Sequence, residues 1–453
     1  MPHSPVASSW SSVEHSVSQR ARRLAGSVAS SRHTPLYRSS YALILTTVVN
    51  AVLGILFWVA AARLYPASVV GLGAGGISAL QLVAIIGWVG LIFTLMRYVP
   101  IAGRARRRLV LGVYCTGVAA AVTAAVVFSL ALATSFNVSY ISANVATKAV
   151  FWSCAGIWVI FTLQDSALIS LRRAGVVTIE NLLYGVLKLI LLVALSGLAE
   201  PWTLLGVWTG STLIFVGGVS GFILLLDPRL QTDEAPAARL SKGAIARFSA
   251  GHTAAAFIAI VPDYLVPLLV LHYLDAAANA YYYSAWSISL SARALSVNVT
   301  DALIVEAAYG NESFATLLKK IARLFAVFLV PTIIVMLGGA GIILRIFGSR
   351  YAGEGASVLR YFALGLIPFT LVTLALALDR IRERFVDALL ITSVATLTTI
   401  GLDAWLIPRN GLSGAGLGWL CGQTLASVLA VRTLWRGLGP DPAARAAGPP
   451  KDR

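Results

Sequence analysis

Long apolar runs separated by short polar turns most restrict how this 453-residue chain can fold. Each run is long enough for a helix to cross a hydrocarbon core of about 30 Å. In lipid only helices and closed barrels satisfy their own backbone, and runs this apolar are not typical of barrel strands. The charged fraction is 12%, against about 25% in a soluble domain. We therefore predict an all-α polytopic membrane protein with about twelve transmembrane helices, at approximately 41–62, 71–96, 109–133, 149–170, 176–197, 203–226, 249–272, 278–300, 322–344, 357–378, 386–406 and 412–433.

Basic residues concentrate in every second connection between the predicted spans. Of the 35 Lys and Arg residues, 27 lie in the two termini and in alternate loops. Because positive charge marks the cytoplasmic side of a membrane protein, both termini are predicted to be cytoplasmic, in the cytoplasmic membrane. The net charge of +16 is therefore assigned to topology, and nucleic acid is not expected as a partner.

The second half of the chain repeats the plan of the first at a shift of 209 residues. The turn and apolar run that begin at Pro66 recur at Asp275. The basic turn after the fourth span and the turn before the sixth span also recur 209 residues later. Repeats in one orientation place a site between the two halves. The predicted segments are a disordered basic tail (1–40), an N-lobe of six helices (41–226), a cytoplasmic linker (227–248), a C-lobe of six helices (249–436) and a tail (437–453).

Three motifs resemble patterns of one transporter family, the polysaccharide or O-antigen flippases of the MATE-like exporter superfamily. They are Ala62-Arg63-Leu64-Tyr65 with Val70-Gly71, Ala79, Gly90-Leu91, Arg97 and Pro100; Ile346-Phe347-Gly348 with Tyr351, Gly355-Ala356 and Leu359; and the stretch from Leu406 to Gly416. The chain departs from the family at Ile304-Val305-Glu306, where members often have a proline, and in its long N-terminal tail.

This resemblance implies a MATE-like fold of two lobes around a central cavity. It also implies the cargo, a polyprenyl-pyrophosphate-linked oligosaccharide flipped across the cytoplasmic membrane by alternating access, for cell-surface polysaccharide such as the O-antigen of lipopolysaccharide. Membrane lipids, and a polysaccharide polymerase or assembly proteins, are the partners that such a role implies.

Charged side chains inside the spans are candidates for the cargo site, because each costs about 3 kcal/mol or more at the bilayer centre. Arg293, Lys188 and Arg97 could form a cationic cavity for a pyrophosphate group, which favours charge-assisted donors. The alternative is internal pairing, of Asp263 with Arg293 and of Asp165 or Glu180 with Lys188 or the Arg172-Arg173 turn. Asp263, Asp165 and Glu180 are therefore candidate charge partners or coupling-ion sites.

Polar and aromatic side chains within the spans supply further candidates. Asn50 and Gln81 are polar enough to line the path, although such residues also cross-link helices. Tyr282, Tyr283 and Trp286 follow the start of the eighth span. Such an aromatic cluster either forms a membrane-interface belt or stacks against sugar rings.

The sequence contains no hydrolase or transferase signature, no paired metal-ligand spacing and no nucleotide site. We therefore expect a transporter and not an enzyme, without cofactor or metal, driven by an ion gradient or the membrane potential. Two alternatives stay open. A cation-coupled multidrug antiporter of the same superfamily would need buried carboxylates for its cargo. A membrane glycan polymerase or glycosyltransferase would need larger extramembrane loops than these.

Overall fold

The structure is a computed structural model that describes residues 35–226, 242–309, 314–382 and 384–438. The predicted N-terminal tail up to residue 34, most of the central linker and residues 439–453 lie outside the described residues. The described part is all-helical and contains thirteen α-helices: α1 (Pro35–Leu64), α2 (Ala67–Trp88), α3 (Leu91–Tyr98), α4 (Arg106–Ala131), α5 (Val145–Ser170), α6 (Ala174–Ala194), α7 (Pro201–Phe215), α8 (Lys242–Tyr273), α9 (Ala276–Tyr309), α10 (Phe314–Arg345), α11 (Ser349–Ile381), α12 (Phe385–Asn410) and α13 (Leu412–Leu438).

Local sequence explains several helix boundaries. Asn144 begins α5 with a capping box in which its side chain accepts from the Thr147 amide while the Thr147 hydroxyl accepts from the Asn144 amide. Pro201 occupies the first turn of α7, where a missing amide proton costs nothing. Gly411, at φ 61°, ends α12 in a backbone conformation that favours glycine.

Eleven helices are long and apolar enough to cross a membrane among the described residues. The predicted span 278–300 corresponds to α9, which is not among the eleven. Several of its polar side chains are buried inside the bundle, including Asn279, Ser284 and Ser289, each no more than 1% exposed. The predicted span 71–96 is a broken helix, because α2 ends at Trp88 and α3 begins at Leu91.

The two halves of the chain repeat one packing order. Helix α1 packs along α6 in the first half, and α8 packs along α12 in the second. Each half also pairs two of its middle helices, α4 with α5 and α10 with α11. Helices α2 and α9, the second helix of each half, pack against each other between the halves.

At this central contact the two backbones touch. A Cβ added at Gly71 would lie 1.5 Å from the carbonyl oxygen of Ala276 and 3.1 Å from the amide of Ala280. Ala280 is the residue 209 positions after Gly71, so the repeats meet at equivalent positions. The Asn279 amide donates to the Gly71 carbonyl at 2.7 Å and fastens the contact.

Further hydrogen bonds join the halves at the same end of the bundle. Arg63 donates from Nε to the Ile346 carbonyl and from Nη2 to the Arg345 carbonyl, both at 2.8 Å. The Asn137 amide donates to the Leu271 carbonyl at 2.9 Å. Arg63 lies at the end of α1, and Asn137 follows the end of α4. The halves are therefore held together at that end of the bundle.

Tyr65 stabilises the first half beside this contact. Its hydroxyl donates to the Leu192 carbonyl at 2.7 Å, in the last turn of α6. Burial raises the pKa of the Tyr65 phenol, because the ionised form would lose its hydration.

Candidate cargo-binding site

Arg293 lies in a small pocket in the second half of the chain. Its side chain extends from α9, is only 9% exposed, and donates from Nη1 to Asp263 Oδ1 of α8 at 2.8 Å. The pocket is partly open, and its free space is about 10 Å³, room for about one water molecule. Its lining residues are Pro262, Asp263, Val266, Tyr282, Trp286, Ser289, Arg293, Phe362 and Trp419.

Pro262 determines how α8 presents Asp263 to this pocket. A proline inside a helix cannot donate to the carbonyl four residues earlier, which is that of Ile258. The freed Ile258 carbonyl instead accepts from the Thr396 hydroxyl of α12 at 2.7 Å. This bond ties α8 to α12 one turn before Asp263.

The Arg293 guanidinium retains donors that the described residues leave unused. Its Cζ lies 5.7 Å from the ring centre of Phe369 and 5.6 Å from that of Trp419, on α11 and α13. Its Nε and Nη2 are buried and make no hydrogen bond within the described structure. A buried cation with two unused donors can bind a phosphate or carboxylate oxygen.

Lys188 occupies a different environment in the first half of the chain. Its Nζ lies 3.9 Å from the ring centre of Trp208, 4.7 Å from that of Phe57 and 4.9 Å from that of Tyr184. The residue is 5% exposed. Lys188 does not line the pocket of Arg293, so the structure separates the two cations that the sequence placed in one cavity.

The carboxylates Asp165 and Glu180 belong to a polar network that does not include Lys188. The Gln164 amide donates to the Glu180 carboxylate, and the Asn181 amide donates to Asp165 at 3.3 Å. Asn50 on α1 extends this network by donating to the Asn181 side chain at 3.1 Å. Asp165 Oδ1 and Glu180 Oε2 are buried without a partner among the described residues, so each can accept a proton or a cation.

The remaining predicted site residues separate into buried and exposed groups. Arg97 is exposed on α3, with its guanidinium 5.9 Å from the Tyr98 ring centre, and is not part of the pocket. Gln81 is buried in α2 at 8% exposure.

The aromatic cluster of α9 is buried inside the bundle and does not form an interface belt. Tyr282 is 2% and Trp286 7% exposed, and both line the pocket. Tyr283, also 2% exposed, packs against Trp58 of the first half with ring centres 4.4 Å apart. Tyr283 also contacts Trp286 at 4.8 Å.

Two buried carboxylates were missed by the sequence reasoning. Asp379 and Asp403 are 1% and 0% exposed, and neither has a hydrogen-bond partner among the described residues. Asp403 lies inside the predicted span 386–406, so its position within a span was a usable signal. Asp379 lies just beyond the predicted end of its span and carried no such signal.

Comparisons by sequence give no match, neither to a family model nor to a curated protein. Comparisons by structure do match. An inward-facing multidrug resistance MATE family transporter of the MOP superfamily aligns over 86% of this chain and 94% of its own, with TM-score 0.65 and 16% identity. The lipid II flippase MurJ, in an inward closed conformation, aligns over 88% and 87%, with TM-score 0.69 and 11% identity. The chain has the fold of MOP-superfamily transporters.

A third match is a MOP superfamily transporter from Pyrococcus furiosus, described as having a reverse polarity of its binding pocket that suggests a different function. It aligns over 89% of this chain and 95% of its own, with TM-score 0.58 and 14% identity. At these identities the likeness establishes the fold, while cargo has to be argued from the residues of this chain.

Proposed function

We propose that this protein is a flippase that moves a polyprenyl-pyrophosphate-linked oligosaccharide across the cytoplasmic membrane, for cell-surface polysaccharide biosynthesis. The pocket of Arg293 carries the proposal. It holds a buried guanidinium with two unused donors, beside aromatic side chains. An anionic pyrophosphate can use both donors, whereas a cationic cargo would meet a like charge.

In this proposal each part of the site binds one part of the cargo. Arg293 binds the pyrophosphate, and Asp263 orients the guanidinium through its bond to Nη1. Tyr282 and Trp286, which line the same pocket, stack against sugar rings. Arg97, exposed on α3, adds positive charge where the cargo enters.

The transport cycle is proposed to be alternating access between the two halves. The bonds from Arg63 and Asn279 hold the halves together at one end. With the basic loops in the cytoplasm, as the positive-inside rule favours, that end faces outward. An ion gradient or the membrane potential is the proposed energy source, with Asp165 and Glu180 as proton or cation sites. We propose no catalytic residue and no cofactor.

A cation-coupled multidrug antiporter is the second candidate, favoured by a specific observation. The described residues include four carboxyl side chains with buried, unpartnered oxygens: Asp165, Glu180, Asp379 and Asp403. Such groups could bind organic cations, and several structural neighbours are multidrug transporters. The pocket of Arg293 argues against this role. Its unpartnered atoms include Nε and Nη2 of the guanidinium, which can donate hydrogen bonds to an anion but cannot accept them from a cation.

Binding of lipid pyrophosphates to the purified protein tests the proposal. We would measure affinity for undecaprenyl pyrophosphate and for undecaprenol by native mass spectrometry. Wild type and Arg409→Gln should prefer the pyrophosphate, and Arg293→Gln should lose about tenfold or more of that preference, since a charge-assisted bond contributes about 1.5–3 kcal/mol. Arg409 is a suitable control because it is exposed and bonds only within its own helix, to the Trp405 carbonyl.

A depletion experiment tests the same proposal in cells. Loss of the protein should accumulate polyprenyl-linked glycans on the cytoplasmic leaflet, and wild type but not Arg293→Gln should relieve this. Unchanged lipid-linked glycans together with altered resistance to cationic dyes would contradict the flippase and support the antiporter.

A further inference from the structure

The side chain of Lys188 is buried and surrounded by aromatic faces. The rings of Trp208, Phe57 and Tyr184 come from α7, α1 and α6, and their centres lie 3.9–4.9 Å from Nζ. Within the described structure no carboxylate forms an ion pair with Nζ. We call these three rings the aromatic cage.

The cage presents ring faces to the Lys188 Nζ atom. Aromatic faces attract ammonium ions through their quadrupole, and cages of this kind recognise quaternary ammonium ligands. The indole nitrogen of Trp208 is buried without an acceptor among the described residues, so no hydrogen bond of its own holds the ring in place. Desolvating an ammonium is costly, so a lysine side chain buried at this depth indicates a function.

The aromatic cage is continuous with the cargo pocket through a row of rings. Phe57 contacts Trp58 edge-on at 5.2 Å, and Trp58 packs on Tyr283 of the other half at 4.4 Å. Tyr283 contacts Trp286 at 4.8 Å, and Trp286 lines the pocket of Arg293. Packed, buried rings therefore connect the cage to the pocket.

We propose that Lys188 is a tethered cation that fills the aromatic cage and thereby excludes organic cations from the transport path. The ammonium occupies the place that a quaternary ammonium or a similar cationic drug would take, and its charge repels such solutes. Lys188 is thus a specificity-determining residue that acts against cationic cargo. This inference does not depend on the lipid-linked cargo proposed above.

Removing the tethered cation should create a site for a free one. Lys188→Ala deletes the side chain beyond Cβ, and tetramethylammonium is close in size to the deleted atoms. We would measure binding of radiolabelled tetramethylammonium to the full-length protein purified in detergent. We expect Lys188→Ala to bind it about tenfold or more tightly than wild type, a factor that corresponds to about 1.4 kcal/mol.

Three controls distinguish binding that is specific for cations from unspecific binding in the cavity left by the deleted side chain. Lys319→Ala, which removes an exposed lysine from α10, should not change binding. Adding Trp208→Leu to Lys188→Ala should abolish the gain, since Trp208 is the closest ring. Excess tert-butanol, a neutral molecule of similar size, should not compete with tetramethylammonium.

The outcomes are decisive in either direction. Affinity in Lys188→Ala no higher than in wild type, or equal competition by tert-butanol, would overturn the proposal. If Lys188→Ala folds poorly, its yield of monodisperse protein becomes the measurement. Rescue by tetramethylammonium chloride but not by sodium chloride supports the cage, and equal yields refute it. Binding of undecaprenyl pyrophosphate to the same preparations reports separately on the proposed function, because Arg293 is unchanged in them.

Discussion

The two halves of the molecule share one helix order but differ in how tightly their last helix packs. In the second half, a Cβ at Gly418 or Gly422 of α13 would lie within about 2 Å of side-chain atoms of α12. In the first half, Gly206 and Gly210 of α7 have no atom within 4 Å of such a Cβ. Helix α7 also passes into π-helical turns at Val216–Ser220 and Phe222–Leu226. A duplicated topology therefore does not impose duplicated packing.

The halves also treat their buried cation differently. Arg293 is paired with Asp263, whereas Lys188 contacts aromatic rings and has no carboxylate partner in the described structure. An ion pair depends on both of its members, while a caged cation leaves no orphaned charge when it is removed. The following experiments test this contrast in packing and in charge.

The largest effect is expected from breaking the ion pair. Asp263→Ala leaves the Arg293 guanidinium buried without its partner, which should cost about 3 kcal/mol of unfolding free energy. This is the low end for buried pairs, because the Asp263 side chain is 23% exposed. Thermal unfolding of purified protein measures the loss, and Asp263→Ala with Arg293→Met should regain most of it. A double variant as unstable as the single one would show that the charge is not the cause.

The next largest effect is expected from testing how tightly α7 and α13, the last helices of the two halves, are packed. Gly422→Ala would place a methyl group 2.8 Å from the Ala395 carbonyl oxygen and 3.0 Å from the Thr399 amide, so backbone must move. Such overpacking typically costs about 1–3 kcal/mol. The change Gly210→Ala in α7 adds a methyl group with no atom within 4 Å of it, and it should be neutral or slightly stabilising, since alanine is the better helix former. Equal melting temperatures for the two variants would contradict the difference in packing.

A smaller effect is expected where the halves meet. Arg63→Ala removes two 2.8 Å bonds to the end of α10, which together should contribute about 1 kcal/mol to the closed arrangement because Arg63 is exposed. The open population should rise about fivefold. Electron–electron distance measurements between spin labels at Ala143 and Arg350 would show it as added longer distances. Arg409→Ala, which removes a bond inside one helix, should leave the distribution unchanged.

The smallest effect is expected from neutralising the caged cation. Lys188→Met keeps the length of the side chain and removes its charge, so lost ring contacts are offset by the avoided desolvation of the ammonium. Stability should fall by no more than about 1 kcal/mol, in contrast to Asp263→Ala. A loss as large as that of Asp263→Ala in the same assay would mean that an anionic partner holds Lys188.

The sequence alone determined the architecture of this protein. Length and apolarity of a run are local properties, and lipid demands that such a run satisfies its own backbone, so a fold of about twelve helices followed directly. The turn residues Asn144 and Gly411 likewise determine helix boundaries through local geometry. Charges inside spans identified Arg293, Lys188 and Asp263 as unusual, because burying charge is costly wherever it occurs.

Only the tertiary structure decided which of these side chains meet. From the sequence, Arg293 could either pair with Asp263 or share a cationic cavity with Lys188 and Arg97. The observed pairing with Asp263 depends on the rotation of α8 and α9 about their axes. Lys188 is surrounded by rings from three helices, and Trp208 and Phe57 are remote from it in sequence. The break between α2 and α3 and the backbone contact at Gly71 are also tertiary features. Helix rotation and close packing depend on every neighbouring side chain at once, whereas hydrophobicity is a property of each segment by itself.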